Sequence, residues 1–467
     1  MNLRIPALVC IGLLSTQAAI VAAEPSPEWT LYSNMLTTTT KLIDLDGNVV
    51  HEWASDFQPG LDVILLDDGS VLRAGRDDSV LGPTGAGAGG RIQKIAWDGT
   101  LEWNYVAATA DTRQHHDILA LSNGNVLAII WDRHSAAEAI AMGRDPSNVG
   151  FQVLSESVIE IQPTGPTTGV IVWEWNAWDH LVQNFDPTLP NFGEPSDHPE
   201  RIDINYTPRG GQDSDWLHYN AMDYNPELDQ LIMSANGWSE FWIVSHAPGA
   251  SGDLMYRWGN PQAYGMGTSD DQTLFGQHNP HWIPEGLPGA GNILIYNNGV
   301  GRPAGEYSSA DEIVLPMNPD GSYHRDSGEA YGPDTVLWTC DNADGDRFYS
   351  RIISSAQRLP NGNTLVCVGQ AGDFIEVDDS CNVQWAYNDG ILQWRAHRVG
   401  ERDPRVRGLL WCEADLAEPY NQLNFFDVSA FISALGAEDP VADFNNDGQW
   451  NFFDVSEFLG AYSAGCP

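Results

Sequence analysis

Basic residues are scarce in this sequence of 467 residues: 22 Lys and Arg stand against 64 Asp and Glu, and the formal net charge is -42. A surface that acidic repels phosphate backbones, which argues against a nucleic-acid partner. Long apolar runs are also missing beyond the first two dozen residues. Because a transmembrane helix needs about 20 apolar residues, we expect no membrane span in the mature chain.

Residues 1–23 have the layout of a secretory signal peptide. Arg4 supplies the basic start, Ala7 to Leu14 the apolar segment, and Val21 to Ala23 the small residues before a cleavage point. The alternative is an uncleaved membrane anchor, although the apolar segment is shorter than a membrane span requires. The pattern predicts export to the periplasm, the cell surface or the medium.

No long helical pattern occurs before residue 410, and a short hairpin motif recurs instead. Its clearest copy is residues 115–127, in which Asn123-Gly124 joins two apolar strands. Similar copies of this motif lie at residues 351–366 and around Asp67 to Ser70. Looser copies follow His218 and His278. A second motif, a turn followed by a strand that ends in Trp, occurs six times, at Trp53, Trp103, Trp173, Trp258, Trp338 and Trp385.

Repeats of four short strands predict radial blades, because a single four-stranded sheet cannot bury both of its faces. The predicted fold class is therefore all-β, a six-bladed β-propeller over residues 24–411. Residues 24–40 are interpreted as an irregular lead-in. We expect residues 38–53 and 391–411 to share the sixth blade, because this closure removes an exposed sheet edge. Long insertions are predicted to cover one mouth of the ring; they are residues 133–156, 177–214 and 260–277.

Cysteine is infrequent, and one of the six residues lies in the predicted signal peptide. Export permits disulfides among the other five. Cys367 and Cys381, on neighbouring strands of one predicted blade, form one candidate pair, and Cys412 and Cys466, which bracket the C-terminal segment, form another. Cys340 is then left unpaired. Spacing alone does not determine the pairing.

Residues 412–467 differ in composition from the rest of the chain, because they contain ten acidic residues and no basic ones. Two similar halves, Leu423 to Ser429 and Trp450 to Ser456, each run into a short helical pattern. Before the second helix the spacing of oxygen-bearing side chains, with Gly448 at the sharp turn, indicates a Ca²⁺ loop. The predicted metal ligands are Asp443, Asn445, Asp447, Gln449, Asn451 and Asp454.

The C-terminal segment resembles the paired repeats of dockerin modules, which implies a small α-helical, EF-hand-like unit and a possible protein partner. The last ligand position holds Asp, as in dockerin-type loops, where an EF-hand has Glu. The first half departs from the pattern, because Asp415 and Asp427 are one residue too far apart. The alternative for either loop is a solvated acidic turn.

Alignment of the blades on the hairpin motif places His116, His218, His278 and Ser354 at one position of four inner strands. Inner strands line the channel of a propeller, so these side chains are expected to converge at one depth. Asn220 lies two residues after His218 and points to the same side of its strand. A single histidine in such a place is usually structural. Three histidines at one depth indicate a site.

Two chemistries are compatible with three converging imidazoles. They could hold a metal ion, as in a metal-dependent hydrolase or lyase. Alternatively, one histidine acts as a nucleophile while the others bind an anion. A non-catalytic binding propeller, tethered through its calcium module, is a third interpretation, because a fold does not fix a function.

Six segments together resemble the arylsulfotransferase (aryl-sulfate sulfotransferase) family, over about residues 35–400. These segments are His115 to Asp117, Asp215 to Asn220, Arg257 to Pro261, Phe275 to His278, Asn298 to Arg302 and Ala356 to Leu365. The resemblance implies an exported six-bladed propeller that moves a sulfuryl group from a phenolic sulfate ester to a phenol acceptor. It implies no nucleotide donor and no cofactor for that transfer.

The resemblance also implies roles for individual residues. His278 becomes transiently sulfated, and His218 and Asn220 hold the sulfuryl oxygens. The family's His-His pair implies His116 and, less directly, His115. A hydroxyl group from the fifth blade implies Ser354 or Ser355. We expect His116 to take the proton of the acceptor phenol, and we expect nearby aromatic side chains to stack on its ring, namely Trp216, Tyr219 and Trp282.

One departure from the family pattern concerns charge. The family carries an arginine on the strand that follows its His-x-Asn motif, and the matching residues 233–238 contain none. Asn236 is the donor expected at that place. We expect Arg302 or Arg351 to supply the missing positive charge from another blade.

Overall fold

The computed structural model describes residues 25–209, 215–248, 252–341, 348–400, 403–406, 409–418, 420, 422–445 and 447–465. The predicted signal peptide and Cys466 lie outside these residues. Six antiparallel sheets of four strands each make up the body of the protein. The predicted six-bladed propeller is confirmed, because the first strands of successive blades contact one another in a closed ring.

Each blade runs from an inner strand at the channel to an outer strand at the surface. Blade 1 contains Gln58–Leu65, Val71–Arg76, Gly90–Ile95 and Leu101–Val106. Blade 2 contains Thr112–Ala120, Val126–Ser135, Gln152–Gly165 and Thr168–Asn176. Blade 3 contains Tyr219–Asn225, Gln230–Ala235, Glu240–Ser245 and Tyr256–Trp258. Blade 4 contains His278–Trp282, Ile293–Asn297, Ser309–Ile313 and Trp338–Asp341. Blade 5 contains Ser355–Arg358, Thr364–Val368, Asp373–Val377 and Val383–Asn388. Blade 6 contains Gln393–Gly400, Glu28–Asn34, Thr39–Ile43 and Val49–Ala54.

The sixth blade joins the two ends of the propeller, as expected. Its innermost strand is Gln393–Gly400, and the other three strands come from the N-terminal part of the described chain. The irregular lead-in predicted for residues 24–40 is wrong in part, because Glu28–Asn34 forms a strand. This segment pairs along the whole of Gln393–Gly400. Without it, the last strand would expose an unpaired edge beside the channel.

Six apolar cores lie between the blades, one at each junction. At the closure, Leu31 and Trp53 of blade 6 pack against Val63 and Ile95 of blade 1, and all four are at most 3% exposed. Each sheet therefore buries both faces only because it lies between two neighbours. This dependence is the physical reason why the repeats form a ring.

Tryptophan side chains on the outer strands of blades 1–5 tie each of these blades to the next one. Their indole Nε1–H groups donate to backbone carbonyls across the junction: Trp103 to Thr168, Trp175 to Gly252, Trp258 to Pro333, Trp338 to Asp379 and Trp385 to Leu45, at 2.8–3.2 Å. In blade 2 this residue is Trp175, and the motif copy predicted at Trp173 is two residues too early. Both lie on the same face of the strand, because side chains alternate with a period of two.

The predicted disulfide between Cys367 and Cys381 is wrong. Cys381 pairs with Cys340, which joins the outer strand of blade 4 to a turn of blade 5. Cys367 is buried in the second strand of blade 5, between apolar neighbours, and is not in a disulfide. The spacing argument failed because it compared residues within one blade, whereas the close approach occurs between blades.

The described α-helices are Ala136–Ala141, Phe425–Gly436 and Phe452–Ala464. Short 3₁₀ helices are Pro146–Asn148, Ala177–His180, Pro195–Asp197, Asn236–Trp238, Pro261–Tyr264, Ser269–Asp271, Pro404–Val406 and Pro440–Ala442. The insertion at residues 177–214 also contains a two-stranded parallel pair, Leu181–Val182 with Ile202–Asp203. Within the described residues, no helix is both long enough and apolar enough to cross a membrane.

The two C-terminal helices pack against each other through stacked rings of Phe431 and Phe458, whose centroids are 4.1 Å apart. Each helix begins with a capping box, Asn424 with Asp427 in the first and Asn451 with Asp454 in the second. Such boxes satisfy the free N–H groups of a helix start. The internal repeat in the sequence is thus an internal repeat in the structure.

Candidate functional site

The inner strands of blades 1–4 lose regular register at the same depth of the channel. His116, within the bulge of blade 2, and His218, directly before the inner strand of blade 3, adopt left-handed φ values of 51° and 53°. In blades 4 and 5 the corresponding residues are Asn279 and Ile353, both with φ 55°. The predicted alignment of His278 and Ser354 with the other histidines is therefore shifted by one residue. Bulges bend a strand and re-aim its side chains, and here they turn side chains into the channel.

Three histidine side chains from three blades, His116, His218 and His278, line one cavity of about 680 Å³. The ring centroids of His116 and His218 are 4.7 Å apart. Trp394 forms part of the wall, with its indole 5.3 Å from His116 and 5.5 Å from His278. A groove of about 740 Å³ between blades 1 and 2 is lined by no histidine. The chemistry-bearing residues are thus concentrated in the channel.

The hydrogen bonds of His278 fix its tautomer. The side chain of Asn298 donates through Nδ2 to the carbonyls of Ser350 and Ile353, at 2.8 and 2.9 Å. Its Oδ1 must therefore be the atom that faces His278, and it accepts the Nδ1–H of that ring at 2.7 Å. The other ring nitrogen, Nε2, accepts the backbone N–H of Ile353 at 3.1 Å. His278 thus presents an unprotonated Nε2 at the cavity.

Burial lowers the pKa of His278 to about 3, and the hydrogen bond to Asn298 opposes this only in part. The nearby positive charges of Arg209 and Arg395 act in the same direction as burial. At neutral pH the imidazole is therefore uncharged, and its Nε2 keeps the lone pair that a nucleophile needs, which here accepts the N–H of Ile353.

His218 forms a dyad with Asp215. Its Nδ1–H donates to Asp215 Oδ2 at 2.6 Å, and the other carboxylate oxygen accepts the indole N–H of Trp131 at 3.1 Å. Although burial by itself raises the pKa of Asp215, the charge and hydrogen bond of His218 hold it below the ordinary value. An ionised carboxylate thus orients the ring, so that the Nδ1 side is fixed and Nε2 is left for the cavity.

His115 and His116 are joined through their Nδ1 atoms at 2.8 Å. The Nε2 of His115 is buried without a partner, and its ring stacks on Trp131. A buried N–H without an acceptor is costlier than a bare lone pair, so His115 is assigned as the Nδ1–H donor. His116 then carries its proton on Nε2. Its ring fits only because Gly87 lacks a side chain; a Cβ there would come within 2.4 Å of three ring atoms.

A positive charge enters the cavity from the insertion at residues 177–214. The guanidinium of Arg209 donates to Asn236 Oδ1 at 2.8 Å and packs on Gly276, where a Cβ would lie 2.9 Å from its Cζ. The backbone N–H of Arg209 donates to the carbonyl of Gly237. Arg209 is exposed, and its side chain lines the cavity. Sequence reasoning missed this residue, since the only signal was its position in a segment predicted to cover the mouth.

Comparison with known proteins bears directly on this site. The family described as "Arylsulfotransferase (ASST)" matches residues 28–390, which is most of the chain. This range includes every residue that lines the cavity except Trp394. The chain belongs to the arylsulfotransferase family. The strand arginine of that family is absent here, and Arg209 brings a guanidinium into the same cavity from a loop.

No curated protein matches the chain. Several solved structures superpose on this chain. One is a protein of unknown function from Bacteroides caccae, with 12% sequence identity and a TM-score of 0.44; the match covers 80% of this chain and 99% of that one. A functionally unknown protein from Desulfotomaculum acetoxidans has 8% identity and a TM-score of 0.40, with 80% and 99% covered. The periplasmic gluconolactonase of Pseudomonas aeruginosa has 12% identity, a TM-score of 0.40 and the same coverage. Likeness at this level carries no argument about activity.

Relative to this arylsulfotransferase cavity, the other predicted site residues fall into two groups. Asn236 and Arg351 line it, together with the three histidines. Asn220 lies behind the wall and is fully buried; its Nδ2 and that of Asn236 both donate to the carbonyl of Gln277 at 2.9 Å. These two amides therefore hold the residue that precedes His278.

The remaining predicted residues also lie outside the cavity lining. Ser354 accepts the N–H of Gly369, and the hydroxyl of Ser355 is buried without a partner. Arg302 donates to the hydroxyls of Tyr307 and Ser309 at 3.1 and 2.8 Å, so it does not supply the charge expected of it. The expected stacking side chains are core residues in blade junctions, namely Trp216, Tyr219 and Trp282. Trp394, on the last inner strand, is the aromatic ring at the cavity.

The buried histidines make stability depend on pH. Burial lowers the pKa of His281 from 6.5 to about 4, and it lowers the pKa of His115 and His116 well below the ordinary value, as it does for His278. Between about pH 6.5 and 4 the unfolded chain binds protons that the folded chain refuses, so the free energy of unfolding falls as the pH falls. We expect a lower guanidinium midpoint at pH 5 than at pH 7.5. The drop should be smaller in His281→Gln, and an equal drop in both proteins would contradict this account.

In the described part of the chain, no three His, Cys, Asp or Glu side chains are grouped in a way that could hold a metal ion. This statement includes the three cavity histidines. It does not bear on the C-terminal loop, because amides make up part of the ligand set predicted there.

In the C-terminal loop, Asp443 and Asp447 side chains turn toward the loop backbone. Asp443 accepts the N–H groups of Asp447 and Gly448 at 3.1 and 2.9 Å, and Asn445 donates to Asp447 at 3.1 Å. Gly448 has φ 71°, the sharp turn that the motif requires. Asn451 and Asp454 are engaged at the helix start, where their oxygens accept backbone N–H groups. The oxygens of Asp443, Asn445 and Asp447 thus lie in the loop, and those of Asn451 and Asp454 serve the helix cap.

Proposed function

We propose that the protein is an exported arylsulfotransferase that moves a sulfuryl group from a phenolic sulfate ester to a phenol, with His278 as the nucleophile. The observation that carries this proposal is the unprotonated Nε2 of His278, held by Asn298 and facing a cavity that contains Arg209. A neutral nucleophile beside a fixed cation suits attack on an anionic sulfate ester.

In the first step the lone pair of His278 Nε2 attacks sulfur, and the bond between sulfur and the aryl oxygen breaks with its electrons on that oxygen. Negative charge on the sulfuryl oxygens is stabilised by Arg209 and by the Nε2–H of His116. The N–H of Ile353, which donates to Nε2 of His278 at 3.1 Å, is released by the attack and becomes a further donor. Such preorganised donors supply much of the rate enhancement in transfer reactions.

Proton transfer is assigned to the dyad of His218 and Asp215. Protonated His218 gives its Nε2 proton to the departing aryl oxygen, and it later removes the proton of the acceptor phenol. The phenol oxygen then attacks sulfur, the bond between Nε2 and sulfur breaks, and His278 regains its lone pair. The 2.6 Å bond to Asp215 keeps His218 in the tautomer that both steps need.

Water must be kept from the sulfated histidine, because hydrolysis would end the transfer. The inner wall of the cavity is largely apolar, with Met35, Leu61, Ile353 and Trp394. An aryl group bound against Trp394 would bury apolar area and displace water from the reacting atoms.

The proposal is tested by mixing the protein with 4-nitrophenyl sulfate, with and without phenol. Release of 4-nitrophenol that depends on the acceptor, with one sulfuryl group on the peptide that contains His278, supports it. The metal-dependent alternative predicts activity that follows the content of a transition metal and is lost with a chelator. Absence of turnover, with aryl sulfate still bound, favours a binding propeller.

The C-terminal segment is proposed to be a dockerin-like module that binds Ca²⁺ and attaches the enzyme to a protein partner. Asp443, Asn445 and Asp447 would hold the ion, which ties the loop to the helix pair packed around Phe431 and Phe458. Bound Ca²⁺ supplies no step of sulfuryl transfer.

Calorimetric titration of the full chain should show at least one Ca²⁺ site, and Asp447→Ala should weaken it by at least about tenfold, because a ligand with two oxygens is lost. Glu457→Ala removes the same charge from an exposed helix position outside the loop. It should leave the affinity within about twofold. Equal weakening by both substitutions would show that only diffuse charge binds the ion.

A further inference from the structure

Two arginines, Arg209 and Arg351, meet at the neck of the channel. Arg209 and Arg351 line both the inner cavity and a second, outer chamber of about 590 Å³. Among the described residues, neither guanidinium makes an ion pair with a carboxylate, and Arg209 donates only to the neutral amide of Asn236. Such a pair is unusual in a chain with 64 acidic and 22 basic residues.

Several other arginines in the described part of the chain are paired with carboxylates. Arg257 pairs with Glu240, and Arg395 with Asp117, in the buried parts of the propeller. Arg76 is especially informative, because it lines the same inner cavity but pairs with Asp78 at 3.0 Å. Two adjacent cations repel each other, so the binding of an anion beside them is electrostatically favourable.

The two arginines differ in their distance from the reaction centre. The charge of Arg209 acts on His278, whereas the charge of Arg351 acts on Arg209 and lowers its pKa together with burial. Arg209 is also bound to Asn236, which holds the residue before His278. A sulfuryl group carries a single negative charge, and Arg209 is placed to neutralise it. Among the residues that the structure describes, Arg351 then remains without a counter-charge.

We propose that Arg351 binds a second anionic group on the aryl substrate, so that the enzyme selects phenols that carry a carboxylate or a second sulfate. This inference rests on the proposed sulfuryl transfer and names its substrate class. The apolar wall with Trp394 takes the ring, Arg209 takes the sulfuryl oxygens, and Arg351 takes the substituent that extends into the polar outer chamber. That chamber is otherwise lined by small or neutral polar groups such as Thr84 and Gln152, with Asp215 already engaged by His218.

The test uses three acceptors that share size and para substitution and differ in charge: 4-hydroxyphenylacetate, its amide, and tyramine. With 4-nitrophenyl sulfate as donor, kcat/KM for the carboxylate should exceed that for the amide by at least about tenfold, mainly through KM, and tyramine should be poorest. In Arg351→Gln the ratio of carboxylate to amide should fall to about one. Arg76→Gln, the matched control, should keep the ratio of the unsubstituted enzyme.

Two results would overturn the inference: equal use of the carboxylate and the amide by the unsubstituted enzyme, or a preference that persists in Arg351→Gln. Failure of sulfuryl transfer itself is distinguished by the absence of a sulfated His278 peptide after incubation with donor alone. In that case calorimetry with the unreactive pair phenylacetate and phenylacetamide decides the matter. Tighter binding of the acid, lost in Arg351→Gln, supports the anion site, and equal binding contradicts it.

Discussion

His278→Gln is expected to lower sulfuryl transfer by about 10⁴-fold or more, because it removes the atom that forms the covalent intermediate. Glutamine fills much of the space of histidine and keeps both a donor for Asn298 and an acceptor for Ile353, so the surrounding hydrogen bonds persist. The loss should appear in kcat of the donor half-reaction, measured as the first release of 4-nitrophenol. No sulfated peptide should form.

His281→Gln is the matched control for this substitution. His281 lies three residues along the same strand, donates to the carbonyl of Asn279 at 3.0 Å and is outside the cavity lining. Its replacement should leave transfer within about threefold, since a change away from reacting atoms acts mainly on stability. Comparable losses in the two variants would indicate a damaged blade and would remove His278 from the role of nucleophile.

Arg209→Gln should lower kcat/KM for the aryl sulfate donor by about 10²- to 10³-fold, the effect of removing one preorganised donor from a developing negative charge. Glutamine can still donate to Asn236, so the loop keeps one of its anchors. Arg209→Lys restores the charge without the two-pronged geometry and should recover part of the activity. Initial rates at several donor concentrations separate the effects on KM and kcat.

Arg76→Gln serves again as the control, because Arg76 faces the same cavity while paired with Asp78. It should change donor turnover by less than about threefold. If Arg209→Gln retains full activity, the loop arginine does not replace the strand arginine of the family, and the sulfuryl oxygens are held by His116 and Ile353 alone.

Much of the fold follows from repetition in the sequence. The hairpin motif and the strand that ends in Trp recur with spacing that fits four strands per blade, and a four-stranded sheet needs neighbours on both faces. Four of the six predicted indole groups bridge to the next blade, and in blade 2 Trp175 does so in place of Trp173. The strand at Glu28–Asn34 was not predicted, because its partner Gln393–Gly400 lies more than 350 residues away and has no local signal.

The cavity shows a similar division. That histidines of blades 2, 3 and 4 face a common space could be argued from their place in the repeat, since equivalent positions of a ring lie at one depth. The one-residue shift at His278 could not, because it arises from bulges that depend on contacts between strands. Asn298 and Asp215 lie in segments that carry the family resemblance, but their roles depend on which ring atom they face.

The sequence by itself determined the number of blades, the closure of the ring and the family, because these depend on residue patterns that repeat or match along the chain. Only the tertiary structure decided the cysteine pairing, the tautomer of His278 and the source of the positive charge. Cys340 meets Cys381 across a blade junction, and Arg209 reaches the channel from an insertion that no repeat contains. The cysteine pairing, the tautomer and the position of this charge each depend on a distance in space between groups that are far apart in the sequence. The spacing of residues along the sequence does not determine such a distance.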